Sequence, residues 1–189
     1  IRLSTPVTGV KREKEAVVVS SAQGEERYDA VFFACHSDQA LRLLEQPTAS
    51  EQQVLGAIKY QENEVLLHTD ASILPKRKTA WAAWNYHLLE NDQGQVPVTY
   101  NMNILQGLDA DQTFCVTLNN SNAIDQAKVL KRLQYHHPIY TQESVAAQAR
   151  QSEINTDRLY FCGAYWRYGF HEDGVVSALN AIEKFKRDL

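Results

Sequence analysis

The chain is poor in the residues that mark secreted, fibrous or membrane-spanning proteins. Its 189 residues include three cysteines, five prolines, eight glycines and one methionine. Cys35, Cys115 and Cys162 are widely separated and odd in number, and two of them sit inside apolar, strand-like runs. They read as buried reduced thiols of a cytoplasmic protein, which excludes a disulfide framework. No apolar run reaches membrane-spanning length, and the opening residues do not read as a signal peptide. Excess positive charge is missing too: the formal net charge is -4, which excludes the clustered basic face of a nucleic-acid binder. The one dense basic cluster, Lys76-Arg77-Lys78 after Pro75, reads as a solvated loop or as a contact for an acidic substrate or lipid headgroup. No G-x-G-x-x-G follows a strand-like run anywhere. The first residue is Ile1 rather than Met, so a processed, excised or truncated product is expected.

What the chain does have is concentrated between Leu159 and Leu189. Leu159 to Cys162 is a short apolar run closed by Gly163-Ala164, as expected of a buried strand ending at a crowded site. From Gly174 the period changes: Val175, Leu179, Ile182 and Phe185 recur at three and four residues and predict one apolar helical face. His171-Glu172-Asp173 lies just before that helix, near the positive end of its dipole. Gly163, Gly169 and Gly174 at one junction allow the backbone to approach a ligand closely, beside the unpaired N–H groups of a helix start. Two readings stand: a cradle for a cofactor, or a tight turn whose helix merely docks on a sheet.

The rest of the chain alternates β-like and helical stretches. Residues 1–10 and Ala16 to Ser20 predict two strands around the charged turn Lys11 to Glu15. A turn at Gln23 to Glu26 leads into Tyr28 to Ala34, an apolar run of the kind buried on both faces of a parallel sheet. His36-Ser37-Asp38 caps a helix carrying Ala40, Leu41, Leu43 and Leu44, broken by Pro47, and Thr48 or Ser50 caps a second over Glu51 to Ile58. Four strands then follow in Asn63 to Asp70, Thr79 to Leu89, Val96 to Leu105 and Thr113 to Leu118. They are separated by turn signals at Leu74-Pro75, Asn91-Asp92-Gln93-Gly94 and Gly107 to Asp111, which predicts an antiparallel meander. Asp125 to Leu133 starts helically, with a cap at Asn122, and turns extended toward Pro138. Thr141 to Gln151 contains a short helix. Adjacent histidines on a strand point to opposite faces, so His136-His137 makes a poor chelating pair.

Parity divides the predicted meander. Trp84, Tyr86 and Leu88 share one face with Tyr100, Met102 and Ile104, whereas Asn85, His87, Asn101 and Asn103 share the other. The aromatic face is either a substrate-pocket surface, with Trp84, Tyr86, Tyr100 and Met102 as its candidates, or ordinary core. His68, His87 and His171 are acid–base candidates because imidazole titrates in the useful range, but no catalytic residue is assigned. His36, at the end of a buried strand, either meets a ligand or satisfies local hydrogen bonds.

The string Phe161-Cys162-Gly163-Ala164-Tyr165, with Tyr168-Gly169-Phe170-His171-Glu172-Asp173-Gly174, resembles the C-terminal motif of the FAD-dependent amine oxidase superfamily, which includes phytoene desaturases and protoporphyrinogen oxidases. More narrowly it resembles a bacterial family described as predicted NAD/FAD-binding proteins or flavin-containing amine oxidases. The likeness extends through His36 to Ala40, Leu67 to Asp70, Trp81 to Tyr86 and Tyr100 to Asn103. It implies a cofactor, FAD, held in the full-length protein and absent from this chain by itself. Gly163 and Ala164 would lie beside the pyrophosphate and ribityl chain, Asp173, Gly174 and Val175 beside the ribityl and flavin, and Gly169 in the loop leading in. Val7 matches a position that meets the adenine through its backbone, though it reads equally well as a packed strand residue. Many amine oxidases place a lysine near the flavin from the substrate sheet; Asn63 to His68 contains none, so desaturation or another dehydrogenation stands beside amine oxidation.

The expected fold class is α+β: part of an α/β FAD-binding fold in residues 1–47 and 151–189, and an antiparallel substrate sheet with helices in 48–150. The expected function is the C-terminal portion of an FAD-dependent oxidoreductase acting on a small molecule, with hydrophobic substrates among the options. The expected isolated chain is inactive and dimerises or swaps through exposed apolar surface. A different class of function, a non-enzymatic α+β interaction module, explains the missing phosphate loop without truncation.

Overall fold

The computed structural model describes residues 1–89 and 94–189, and the turn read at Asn91 to Gln93 lies outside them. The chain is α+β. It divides into two compact units, one of residues 1–60 and 138–189, the other of 61–137. Sequence reading put the divisions at 47/48 and 150/151. They fall at 60/61 and 137/138 because the helices beside those positions pack into the first unit's core.

In the first unit, β1 (Val7–Arg12), β2 (Val17–Ser21) and β3 (Gly24–Tyr28) form an antiparallel sheet in chain order. The segment Tyr28 to Ala34 forms only a three-residue strand, β4 (Val31–Phe33), which pairs in parallel with β10 (Leu159–Phe161). It is not buried on both faces: Phe33 lies in the core, while Phe32 is exposed and stacks on Tyr160 at 4.9 Å between centroids. Helices α1 (Ser37–Leu43) and α2 (Ala49–Ala57) follow. Thr48 caps α2 by accepting the Glu51 N–H, and Glu51 reaches back to the Thr48 N–H at 2.7 Å. The same buried Glu51 carboxylate pairs with Arg12, tying α2 to β1. Helices α4 (Gln142–Gln148, capped by Thr141) and α5 (Gln151–Ile154) complete a core of Val10, Val17, Phe33, Val54, Leu55, Ile154, Leu159 and Phe161.

Helix α6 runs from His171 to Asp188, a full turn earlier than periodicity suggested, so Glu172 and Asp173 lie in its first turn. Its orientation is also the reverse of expectation. Asp173, Ser177 and Ala181 are buried, whereas Val175, Leu179 and Ile182 are 54%, 59% and 40% exposed. Among the predicted apolar face only Phe185 packs inward, against Tyr160.

The second unit is a five-stranded sheet ordered β6 (Trp84–Tyr86), β7 (Val98–Asn101), β8 (Cys115–Leu118), β5 (Tyr60–His68), β9 (Val129–Pro138). The predicted simple meander holds for β6, β7 and β8. The first strand, β5, instead enters between β8 and β9, pairing antiparallel with β8. The third predicted strand stops at Asn101, whose side chain caps a short helix, α3 (Met102–Gln106), and Gly107 ends it in the left-handed region at φ 62°. Met102 and Ile104 are thus helical and do not extend the sheet's aromatic face. At β6 that face is open, with Trp84 and Tyr86 54% and 61% exposed, so the core reading fails for them, whereas Val98 and Val65 on the same face of β7 and β5 are buried. The opposite face buries Asn85, Thr99, Asn101, Thr117 and His68 together with Leu66 and Cys115.

Candidate functional site

The glycine bend follows from how β10 ends. Cys162 donates its N–H to the Phe33 carbonyl at 2.9 Å, and both strands of the parallel pair run out on the same side. Cys35-His36 and Gly163-Ala164 therefore leave the pair together, at the carboxyl ends where α/β proteins place ligands. Gly163 N–H donates to Ser177 Oγ at 2.8 Å, and Ser177 Oγ donates to the Gly174 carbonyl at 2.8 Å, which fixes the bend to the start of α6. Gln151 Nε2 donates to the Phe161 and Ser177 carbonyls, and Asn155 Oδ1 accepts the Phe161 N–H at 2.7 Å. Farther along, Gln148 Nε2 donates to the carbonyls of Tyr165 and Arg167. Asp173 Oδ2 accepts the Tyr168 and Phe170 N–H groups at 3.2 and 3.0 Å, so this buried carboxylate closes the loop onto the helix start.

The three glycines differ in what they accommodate. A Cβ at Gly163 would collide with the ring of Tyr165, which is buried in the core. Gly169 has φ +89°, and a Cβ there would lie 2.9 Å from the Tyr140 hydroxyl oxygen. At Gly174 the nearest atom is Ala164 N at 3.8 Å, an ordinary contact. The faces of Gly163 and Gly169 are thus filled by the chain's own tyrosines, while half-buried Gly174 has room for a methyl in ordinary contact with Ala164, next to the exposed Val175.

Sequence reasoning missed the tyrosines that gather here, because Tyr60 and Tyr140 lie far from the bend in the chain and belong to no local pattern. Tyr60 stacks on His36 at 4.4 Å between centroids and accepts the Ser37 N–H at 3.1 Å. Burial pushes the Tyr60 and Tyr140 hydroxyls up, with the Asp173 charge adding to the shift at Tyr140. Burial drives Tyr165 far above the ordinary tyrosine range. Val7 is exposed at the start of β1, where pairing with β2 slips between Val7 and Gly9.

In the second unit Trp84 meets Tyr100 edge to face at 5.4 Å, and burial raises the Tyr100 hydroxyl. Tyr86 lies on the same open face as these two, and Met102 lies beyond it on α3. Among the histidines, His171 is exposed at the first position of α6, His87 is half-buried and His68 is fully buried. Asp70, also buried, accepts from Asp125 N, Ser72 N and Ser72 Oγ and pairs with Lys128 at 3.2 Å. Burial alone would raise its carboxyl, but these donors hold it well below the usual range. Among the described residues no helix is long and apolar enough to cross a membrane.

This architecture is that of part of the flavin amine oxidase fold. A protein from Exiguobacterium sp. 255-15 described as a candidate protoporphyrinogen oxidase superposes on 100% of this chain and 48% of its own, with TM-score 0.69 at 15% identity. A double mutant of putrescine oxidase, made to redesign cofactor binding, matches over 96% and 48% with TM-score 0.61 at 10% identity. Cyclohexylamine oxidase from Brevibacterium oxydans IH-35A matches over 96% and 48% with TM-score 0.55 at 13% identity. The chain spans about half the length of each. No family model matches the sequence, and no curated protein matches it.

Proposed function

We propose that the chain is the C-terminal portion of an FAD-dependent oxidoreductase of amine oxidase type, and that it supplies the substrate sheet and the flavin-side wall of the site. The observation that carries this reading is the superposition of essentially the whole chain on one half of several such proteins. It favours the enzyme over a free-standing interaction module.

The residues fit the cofactor in part of the bend. Ala164 and Gly174 lie against each other at the start of α6 with room between them for a methyl, Val175 is exposed beside them, and Asp173 holds that start in place by accepting the Tyr168 and Phe170 N–H groups. Gly163 and Gly169 give the bend its shape around Tyr165 and Tyr140, and their main chain forms the rest of the wall. Val7 offers an exposed strand end to the adenine. Bound flavin would supply the two-electron oxidation, and the chain's residues contribute orientation and exclusion of water. Trp84, Tyr86 and Tyr100 give the sheet an open aromatic surface suited to a small molecule with apolar parts, with Met102 beyond its end. Without a lysine on β5, the reading extends to oxidation of a small molecule and does not single out amines.

Gly174→Ala tests the wall. A methyl there meets nothing closer than 3.8 Å, so the variant 189-residue chain should melt no lower than wild type. In the intact protein the same methyl should reduce flavin retained on gel filtration by at least about tenfold, about 1.4 kcal/mol. Unchanged retention would remove Gly174 from the cofactor site.

A further inference from the structure

A continuous line of hydrogen bonds crosses the buried face of the second unit's sheet. His87 Nε2 lies 2.8 Å from Thr99 Oγ1, Thr99 Oγ1 lies 2.7 Å from Thr117 Oγ1, and Thr117 Oγ1 lies 2.7 Å from His68 Nε2. The cross-strand register puts Thr99 opposite Thr117 and pairs Cys115 with His68, so the line steps from β6's end to β5 through neighbouring strands. Thr99, Thr117 and His68 are essentially inaccessible to water.

The proton positions follow from one end. His68 Nδ1 accepts the Asp70 backbone N–H at 3.1 Å, so it carries no proton, and neutral His68 must be protonated at Nε2. His68 then donates to Thr117, Thr117 to Thr99, and Thr99 to His87 Nε2. The reverse order would place two N–H groups face to face at Asp70. When His87 gains a proton, its Nε2–H confronts a Thr99 hydroxyl already receiving from Thr117, and the Thr99 proton is left without an acceptor in a dry site. An orphaned buried donor of this kind costs about 1–3 kcal/mol.

We infer that the His68–Thr117–Thr99–His87 line is an acid-sensitive latch on the edge strand β6: neutral His87 fastens β6 to β7, and protonation releases it. β6 is three residues long at the sheet's edge, and beyond it the His87 N–H to Pro97 carbonyl bond at 3.0 Å is the neighbouring tie. The strand carries Trp84 and Tyr86 on its other face, so, on the reading of that face as a substrate surface, the latch regulates its order. Burial lowers both His87 and His68, with the nearby Asp70 opposing the shift at His68. Among the described residues, the charged group that shares a cleft of about 340 Å³ with His87 is Glu64, which is engaged by Arg132 at 2.6 Å and Ser121 at 2.5 Å. Around His68 stand Asp70, held by Lys128, and Cys115, whose thiol burial pushes to about 11. A histidine held low when folded contributes stability that is complete above the ordinary value of 6.5 and is lost as the pH falls below it.

The test is nitrogen NMR of the 189-residue chain across pH 7 to about pH 4.5, near and below the ordinary histidine range. The expected tautomers are Nε2–H for His68 and Nδ1–H for His87. In Thr99→Ala the Thr117 hydroxyl has lost its acceptor in either state of His87, so protonating His87 orphans no further proton and His87 should titrate higher than in wild type, whereas Thr99→Ser should keep the wild-type value. Exchange of the Trp84 to Tyr86 amides, corrected for intrinsic rate, should accelerate about tenfold over the same pH fall in wild type. An Nε2–H tautomer at His87, equal titration in Thr99→Ala and wild type, or unchanged exchange would overturn the inference. If Thr99→Ala fails to fold, the wild-type tautomers and the serine variant still decide it. None of these readouts involves flavin, so the latch and the flavoenzyme reading succeed or fail separately.

Discussion

At the scale of residues, the bend shows that a glycine can serve two ends. Gly163 is glycine because Tyr165 fills the space where its side chain would be. Gly163→Ala in the 189-residue chain should cost about 1–3 kcal/mol, as overpacking does in a tight core. Urea melts would show this. They should also show that adding Tyr165→Leu to the alanine variant costs less than the two single changes summed, since the two groups compete for one space. Additive losses would mean that the clash is relieved by a small backbone shift. The sequence made the three glycines conspicuous but could not rank them, because Tyr140 approaches Gly169 from 29 residues away.

At the scale of elements, local signals were legible and non-local ones were not. Of the two caps read for α2, Thr48 or Ser50, Thr48 serves, since a cap depends only on residues three apart. The alternation of Asn85 and His87 against Trp84 and Tyr86 also survives, but periodicity distinguishes faces without saying which one is covered. Polar residues won the interior here because Thr99, Thr117 and His68 satisfy one another. Insertion of β5 beside β8 is a long-range pairing with no local signature. The same limit explains α6, whose apolar stripe is real and solvent-facing. Leu179→Gln with Ile182→Gln should therefore leave the melt of the 189-residue chain within about 0.5 kcal/mol per site. In sedimentation the wild-type chain should self-associate as its concentration rises, and the double variant should do so less. A wild-type chain that stays monomeric throughout, or a large fall in stability of the variant, would show that the stripe is not an open docking face.

At the scale of the whole molecule, the proposed function gives one explanation for the overlap with half of each similar structure, the open stripe on α6 and the exposed aromatics of β6. On the proposed reading, each is a surface that a larger flavoenzyme would cover or use. The resemblance strings carried the fold class, because they preserve the turn chemistry around β10 and α6. Substrate identity left no such trace, since it depends on side chains converging from segments distant in sequence. The most direct measurement is the visible absorption spectrum of the protein purified from the reading frame that contains this chain, before and after adding dithionite. Oxidised-flavin bands at close to one flavin per chain, bleached by the reductant, are the predicted result; a colourless protein that takes up no added FAD would contradict the account.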